Sequence, residues 1–407
     1  MRSVYKLILG TGGLLILLGS NSVLEAADGP AHVVGRLLAA HREGIDPNLL
    51  NRVWMVHGAV VRRSIPGLRV SVLDVPEESS EATLESLMRS GLFEFVEHDY
   101  YARTAAVPND PSYISQWHLP KIRSAEAWGV TIGSASVVVA VIDSGVYGKH
   151  PDLTAKLVPG WNFVDGNSDT ADVLGHGTAV AGTLAAASNN GIGVAGVSWA
   201  SLIMPLAVVD QNDYAAYSNI AAAIDYAADH GTRLINISIG GPNASSTLQS
   251  AVDYAWNKGV VIFASAMNDG APAPNYPAAC NHAVAVSATD SNDHLASFSN
   301  YGDWISLAAP GTNILTTMDG GGYGYWYGTS FASPIAAGVA ALCLAVNPAL
   351  SNAALVSLLE QTADDLGPSG RDSSFGWGRI NAYRAVVAAM PATAPVAQRN
   401  PGRRRSR

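Results

Sequence analysis

Short runs of apolar, often β-branched residues alternate along most of the chain with longer Ala-rich segments, in which apolar residues recur at helical spacing. Continuous apolar runs of this length are typical of strands buried on both faces of a parallel sheet. The runs predict strands over residues 137–142, 202–209, 234–239, 260–265 and 283–287. The Ala-rich segments predict helices over residues 178–187, 219–230, 246–258 and 333–346. Together they predict an α/β fold over residues 106–390, with a doubly wound, mostly parallel sheet flanked by helices.

The stretch before this domain has a different pattern. Residues 68–75 alternate like a strand, residues 80–90 carry apolar residues at helical spacing, and residues 93–97 return to a strand pattern. Both signs of charge are interspersed here and glycine is sparse. The pattern predicts a small, separate α+β domain over residues 28–105.

The two ends of the chain are predicted to lie outside these domains. An apolar run of thirteen residues, 7–19, follows Arg2 and Lys6, and small residues follow the run. This pattern predicts an export signal over residues 1–27, with an uncleaved membrane anchor as the alternative. Residues 391–407 are rich in Pro, Ala and Arg and predict a disordered, Arg-rich tail.

The composition excludes several classes of protein. Of the 407 residues, 48% are hydrophobic and 14% are charged, which excludes a disordered chain. The two cysteines are too few for a scaffold held together by disulfides. Export would permit a bond between Cys280 and Cys343, but Cys343 lies in an apolar run, where a buried free thiol is the commoner outcome. We therefore expect two free cysteines.

The charge of the α/β domain is strongly negative. Residues 112–390 contain nine Lys and Arg against twenty Asp and Glu, a net charge of −11. This balance argues against binding to the phosphates of a nucleic acid. Eighteen of the twenty acidic residues are Asp, whose short carboxylate suits loops and sites for hard cations. A calcium site is therefore a hypothesis from composition alone.

Three short segments carry groups suited to nucleophilic catalysis. Asp143 follows the first predicted strand of the α/β domain, at the edge of the sheet where ligands bind. His176 lies between Gly175 and Gly177, which leave room for a close approach to the imidazole. Ser330 precedes a proline suited to the first turn of an apolar helix, whose N-terminus favours negative charge. Singly, Asp143 and His176 also fit a turn and a helix start.

Taken together, the three segments resemble the subtilisin family of serine proteases. The order of the three residues and the surrounding letters DSG, GHGT and GTSFASP match that family. The resemblance implies a serine endopeptidase that hydrolyses peptide bonds in proteins through an acyl-enzyme intermediate. It also implies that Ser330 is the nucleophile, that His176 is its general base and then acid, and that Asp143 orients and stabilises the imidazolium.

The resemblance further implies which groups bind the substrate. Asn268 would donate a hydrogen bond to the oxyanion, and an extended substrate would pair with the backbone. Met267 stands where the family usually has a glycine that lines the primary pocket, so its side chain either reshapes that pocket or turns into the core. We expect a preference for apolar or aromatic side chains, because nothing acidic or basic is evident there. The other implied substrate-binding residues are Ser238, Ile239, Gly240, Asn275 and Tyr217.

A structural Ca²⁺ site is implied as well. The segment from Ser188 to Val194 resembles the family's calcium loop, in which carbonyl oxygens and one Asn side chain bind the cation. The implied ligands are Gln116, Asp152, Ser188, Asn190, Ile192 and Val194. A weaker second candidate is the series Asp165, Asn167 and Asp169, with Asp172 close by, for which a solvated turn is the alternative.

The domain before the peptidase resembles the propeptides of secreted subtilisins. Such a propeptide assists folding, inhibits the enzyme from within the same chain and is removed by self-cleavage, here between Tyr101 and Ser112; a permanent accessory domain is the alternative. The expected product is a secreted monomer that acts on proteins and peptides and does not bind nucleic acid or associate stably with a membrane. Met267 and Ala179, which stands where the family commonly has a second histidine, also motivate a catalytically silent binding or processing partner as the alternative function.

Overall fold

The computed structural model describes residues 32–100 and 106–391. The predicted export signal over residues 1–27 lies outside the described residues. So do the predicted tail after residue 391 and the first part of the predicted cleavage region, residues 101–105.

Residues 32–100 form a four-stranded antiparallel sheet with two helices packed on it. The elements are β1 (His32–His41), α1 (Pro47–Val56), β2 (Val60–Ile65), β3 (Val70–Asp74), α2 (Ser80–Arg89) and β4 (Phe93–Tyr100). The strand order is β2-β3-β1-β4. Leu50 and Trp54 of α1 and Leu87 of α2 bury their side chains against Leu73 of the sheet. The predicted elements β3, α2 and β4 are confirmed, whereas the sequence pattern missed β1, α1 and β2.

Residues 106–391 form a seven-stranded parallel sheet and a two-stranded hairpin. The strands are β5 (Val138–Asp143), β6 (Trp161–Asn162), β7 (Leu202–Ala207), β8 (Leu234–Ile237), β9 (Val261–Ser265), β10 (Ala283–Thr289), β11 (Leu307–Pro310), β12 (Ile314–Thr317) and β13 (Tyr323–Trp326). The sheet order is β11-β10-β9-β8-β5-β7-β6. The helices are α3 (His118–Lys121), α4 (Ser124–Trp128), α5 (His176–Ala185), α6 (Tyr217–Asp229), α7 (Ser246–Asn257), α8 (Thr329–Val346), α9 (Asn352–Gln361) and α10 (Ala382–Ala389).

Helices cover both faces of the large sheet. Successive side chains of a strand point to opposite faces. In β5, Val139 and Val141 pack in the hydrophobic cluster that contains α5 and α8, whereas Ala140 and Ile142 pack in the cluster that contains α6 and α7. The arrangement confirms the predicted doubly wound α/β fold, and it explains why the central strands are apolar at most positions on both faces.

Several element boundaries differ from the prediction, and two of these differences bear on the candidate site. Strand β8 ends at Ile237, two residues earlier than predicted, so Ser238 is free to lie outside the ladder. Helix α8 begins at Thr329, four residues earlier than predicted, so Pro334 lies inside the helix and not in its first turn. The prediction was wrong because it took the proline as the start signal. Ser330 consequently belongs to the first turn of α8.

Two further sequence features have a clear place in the fold. Among residues 32–100 and 106–391, only α8 is long and apolar enough to cross a membrane, and most of its residues are buried in the protein core. Cys280 and Cys343 are both buried and free, as expected.

Candidate active site

The carboxyl end of β5 meets the first turn of α5. Asp143 is the last residue of β5 and is almost completely buried, and His176 is the first residue of α5. Their side chains join through a hydrogen bond of 2.8 Å between His176 Nδ1 and Asp143 Oδ1. Asp143 Oδ1 also accepts a bond from the backbone N–H of Ser144. Since Nδ1 donates to a carboxylate, the neutral imidazole presents Nε2 as a hydrogen-bond acceptor.

The two glycines around His176 permit this contact. Gly175 precedes α5 with a φ of 82°, in the left-handed region that suits glycine. A side chain at Gly177 would overlap the carbonyl oxygen of Gly145 and would lie 3.1 Å from Cβ of Asp143. The sequence argument that these glycines allow a close approach is therefore correct.

Asp172 ties the start of α5 to the loop after β5, a role that the sequence analysis missed. Its Oδ1 accepts hydrogen bonds from Gly175 N at 2.8 Å and from the hydroxyl of Ser144 at 2.7 Å. Its Oδ2 accepts from Thr178 N at 2.7 Å. A carboxylate that satisfies free N–H groups in the first turn stabilises the helix start. The sequence feature that could have indicated this role is an Asp four residues before the histidine, next to a predicted helix start.

The electrostatics around His176 favour its protonated form. Burial by itself lowers the pKa of the imidazole, but the negative charge of Asp143 and its hydrogen bond act in the opposite direction and outweigh burial. Asp172 and Asp213 add smaller contributions of the same sign. The net effect raises the pKa of His176 above its ordinary value of 6.5.

Ser330 lies in the first turn of α8, where the backbone dipoles favour negative charge. Its side chain is largely buried, and its Oγ lies 3.2 Å from Ser238 O, to which it donates. The ring of the next residue, Phe331, is 5.9 Å from the ring of His176. Pro334 has no N–H to donate to Ser330 O, and the hydroxyl of Ser238 donates to that oxygen at 2.8 Å instead. Ser238 thus stabilises the helix just where the proline interrupts its bonding.

Asn268 has a fixed amide orientation. Its side chain accepts a hydrogen bond of 2.9 Å from the backbone N–H of Thr329 and one of 3.0 Å from the Thr329 hydroxyl. A backbone N–H can only donate, so the amide atom that faces it is Oδ1. The Nδ2 donor is therefore at the other end of an exposed side chain, next to Gly328. The arrangement leaves an N–H donor beside Ser330.

A cleft of about 910 Å³ opens beside Asp143 and His176, and its described lining does not include Ser330 or Asn268. Its lining includes five of the predicted substrate-binding residues: Tyr217, Ser238, Ile239, Gly240 and Met267. Asp143, His176 and Trp326 lie along the same cleft. Trp326 ends β13, and its ring lies 6.2 Å from that of His176 in an edge-to-face arrangement. The sequence analysis missed Trp326 because nothing in the chain shows that the hairpin folds over the histidine.

Asn275 is held by contacts within its own loop. The residue is buried. Its side-chain amide donates to Ala273 O at 3.4 Å, and its backbone carbonyl oxygen accepts from Ala279 N. It is absent from the described lining of the cleft. Its predicted position near the bottom of the primary pocket stays a prediction without support from these contacts.

The loop that resembles a calcium loop is rich in oxygen atoms. The carboxylate of Asp152 is buried and accepts a hydrogen bond of 2.8 Å from the amide of Asn190 and one of 3.3 Å from Val194 N. Within residues 32–100 and 106–391, the carbonyl oxygens of Ser188, Ile192 and Val194 accept no hydrogen bond. Free carbonyls beside a buried carboxylate form a donor set suited to a hard cation.

Gln116 and Asp110 differ from the sequence-based picture of this site. Both polar atoms of Gln116 are already bonded to the backbone, since Oε1 accepts from Ala195 N and Nε2 donates to Ala195 O. Asp110, which the sequence analysis did not select, is buried beside the loop and accepts from Asn189 N. Burial raises the pKa of Asp110, and the negative charge of Asp152 raises it further. Hydrogen bonds from the backbone of Asn189 and Asn190 lower this pKa, but the net effect is an increase. Two carboxylates that repel each other would favour a bound cation.

The second candidate for a cation site forms a turn. Asn162 bonds to Asp165 N, Asn167 to Asp169 N, and Asp169 to Ala171 N. These local side-chain to backbone bonds are those of an Asx-rich turn. No cluster of three or more His, Cys, Asp or Glu side chains is present in the described part of the chain. A cation site in the described part of the chain would therefore depend largely on amide and carbonyl oxygens.

The comparisons with known proteins agree with the fold and the motifs. Residues 134–378 match the model of the subtilase family. A thermophilic serine proteinase from Bacillus sp. strain AK1 is 43% identical over 75% of this chain and 76% of its own length. Thermitase from Thermoactinomyces vulgaris is 43% identical over 69% of this chain and 99% of its own length. Among solved structures, a protease from Pseudoalteromonas arctica PAMC 21717 matches with a TM-score of 0.65 and 34% identity, over 70% of this chain and all of that one.

The family match covers more than half of the chain, and close relatives of known activity align with most of it. The chain belongs to the subtilase family and is a serine endopeptidase.

Proposed function

We propose that this protein is a secreted serine endopeptidase, made as a zymogen, in which Asp143, His176 and Ser330 form the catalytic triad. The observation that carries the proposal is the 2.8 Å bond between Asp143 and His176. It is supported by the position of Ser330 in the first turn of α8, next to Phe331, whose ring lies 5.9 Å from that of His176. All three groups come from one chain, so the proposed site needs no residue from a second subunit, and we propose a monomeric enzyme. Two features support export: the pattern at residues 1–27, and the similarity to a protein from Natrialba magadii whose name describes an extracellular serine protease.

The geometry supports acyl transfer in two stages. Ser330 Oγ gives its proton to His176 Nε2 and forms a bond to the carbonyl carbon of the substrate. The carbonyl oxygen becomes an oxyanion, which accepts hydrogen bonds from Asn268 Nδ2 and from the backbone N–H of Ser330. The C–N bond then breaks as His176 gives the proton to the leaving amine. Water repeats the sequence on the acyl-enzyme and releases the acid, and Asp143 stabilises the imidazolium in both stages.

For this reaction the hydroxyl of Ser330 must change its hydrogen-bond acceptor from Ser238 O to His176 Nε2. Its hydroxyl donates to Ser238 O in the structure, and rotation about the Cα–Cβ bond would redirect it to His176. Hydrogen bonds of catalytic groups are often loose before the substrate binds. The retained donor Asn268 and the intact Asp143–His176 pair favour the active enzyme over a silent family member.

A structural calcium site is the second part of the proposal. The carboxylates of Asp110 and Asp152, the side chain of Asn190 and the loop carbonyls fit Ca²⁺. When bound, the ion would neutralise the two buried carboxylates. The segment that follows the proposed cleavage region is fixed to the same loop, because Asn109 accepts from Gly191 N and Ser112 N donates to Gly193 O.

Residues 28–105 are proposed to be the propeptide. The described part, 32–100, has its own hydrophobic core and precedes the attached segment that begins near Asn109. Cleavage between Tyr101 and Ser112 would release the propeptide and would leave the peptidase domain intact.

Labelling with an active-site-directed fluorophosphonate tests the triad and the maturation together. We expect one label on Ser330 of a species shorter than the full chain, because an activated serine attacks the phosphorus and the propeptide has been removed. Intact mass and peptide mapping provide the readout. Ser330→Ala should remain full length and unlabelled. A wild-type chain that is folded but full length and unlabelled would contradict the proposal.

Asn268→Ala should lower kcat by about 100-fold or more, the loss typical of removing one oxyanion donor from a serine protease. The KM should change little, because the donor acts mainly in the transition state. Thr329→Val is the matched control. It removes one bond to Asn268 Oδ1 and keeps the Nδ2 donor, so its loss of kcat should be much smaller. Equal losses in the two variants would show that Asn268 acts only by packing.

The dependence of kcat/KM on pH should follow His176. Activity needs the neutral imidazole, so kcat/KM should be lost as the pH falls through a pKa above 6.5. Asp213 is exposed and helps to raise this pKa, so Asp213→Asn should move the acidic limb to lower pH. Asp303→Asn makes the same change of charge at another exposed position and should leave the limb unchanged. High salt should reduce the effect of Asp213.

Calcium should raise the Tm of the Ser330→Ala protein. When the ion is at 100 times its Kd, binding should increase the free energy of unfolding by about 2.7 kcal/mol. Asp110→Asn and Asp152→Asn should remove most of the increase, whereas Asp165→Asn should preserve it. Gln116→Ala should lower the Tm equally with calcium and with chelator, because its contacts are to the backbone. Thermal unfolding by circular dichroism measures all of these. An unchanged increase in Asp110→Asn would exclude that carboxylate as a ligand.

A further inference from the structure

Two backbone segments flank Ser330 and form the walls of a slot. The first, residues 238–240, begins beside the serine, where Ser330 Oγ lies 3.2 Å from Ser238 O. The second, residues 265–268, leads from the end of β9 to Asn268, which is bonded to Thr329. In the proposed mechanism the oxygen of the acyl group points to Asn268. The side chain of the acyl residue, which precedes the cleaved bond, is then directed between the two walls.

The side chain of Met267 crosses this slot. Its Sδ lies 3.7 Å from the hydroxyl of Ser265 on one wall. A carbon atom added to Gly240 on the other wall would lie 3.4 Å from Sδ and 3.5 Å from Cγ of Met267. The two distances to Gly240 correspond to van der Waals contact, so the thioether reaches across the gap to the other wall. Met267 also lines the cleft, so it does not turn away into the core.

The backbone sets the direction of this side chain. Met267 has a φ of 73°, in the left-handed region that large side chains rarely adopt. Hydrogen bonds hold the chain on both sides, because Met267 O accepts from Asn300 N at 3.0 Å and Ala266 N donates to Val286 O at 3.0 Å. The Cα–Cβ bond therefore stays directed at the slot although the thioether itself is flexible.

We propose that Met267 is the specificity-determining residue of the primary pocket and restricts the residue before the cleaved bond to small side chains, those of Gly, Ala and Ser. This inference rests on the proposed function. It replaces the sequence-based expectation of apolar or aromatic side chains, which considered the polarity of the pocket and not its depth. An aromatic ring would have to displace the thioether from both walls.

Peptide p-nitroanilides that differ only in the residue before the cleaved bond test the inference. The residues are Gly, Ala, Leu and Phe, and the readout is the ratio of kcat/KM for Ala to that for Phe. We expect the mature wild-type enzyme to favour Ala by at least about tenfold, the scale on which pocket size discriminates between substrates. Met267→Gly should reverse the ratio, because it removes the thioether and suits a positive φ.

Two control variants separate the slot from general effects. Met267→Leu keeps a side chain of similar volume and should keep the preference for Ala. Met318→Ala removes a thioether at a partly exposed position in the loop between β12 and β13, and it should leave the ratio unchanged. Circular dichroism and the fluorophosphonate label confirm that each variant is folded and that its serine is active.

The outcomes distinguish this inference from the proposed function. A wild-type enzyme that cleaves the Phe peptide as well as the Ala peptide overturns the role of Met267, and so does a ratio that Met267→Gly does not change. Failure to cleave any of the peptides, together with absence of the label on Ser330, overturns the proposed function instead. Label on Ser330 with a preference for Ala that reverses in Met267→Gly supports both.

Discussion

The active site depends on the contact between the carboxyl end of β5 and the first turn of α5. Asp143 is buried under this contact, and its charge is stabilised by His176 and by the backbone of Ser144. Any side chain at Gly177 would separate the two elements. A buried carboxylate with one of its partners removed is expensive, so the strand, the helix and the imidazole have to be assembled as a unit.

The hairpin β12–β13 connects the proposed calcium loop to the imidazole. At one end of β13, the hydroxyl of Tyr323 lies against Gly193 and beside Asp152. Burial and the charges of Asp152 and Asp110 raise the pKa of Tyr323, so it remains a neutral phenol there. At the other end, Trp326 packs edge-to-face on His176. A cation that organises the loop would therefore also steady one wall of the catalytic cleft.

Two backbone features beside the candidate site carry a local energetic cost. A non-glycine residue with positive φ costs on the order of 1–3 kcal/mol, and Met267 adopts that conformation next to Asn268, the proposed oxyanion donor. Pro334 removes a backbone bond from α8, and Ser238 provides the replacement donor. The large hydrophobic clusters on both faces of the sheet can offset such local costs.

The sequence by itself determined the fold class, the family and the identity of the chemical groups. Continuous apolar strands and Ala-rich helices have periods that can be counted along the chain, and the segments around Asp143, His176 and Ser330 are short enough to recognise directly. Only the tertiary structure decided which distant groups share a site. The sequence did not reveal the positions of Asp110 and Trp326 or the role of Asp172 at the start of α5. It also favoured Gln116 as a ligand, although the backbone already satisfies the amide of that residue. In each case no local pattern records contacts between residues far apart in sequence. The direction of the Met267 side chain was likewise decided by the φ that its neighbours impose, which a list of residues does not contain.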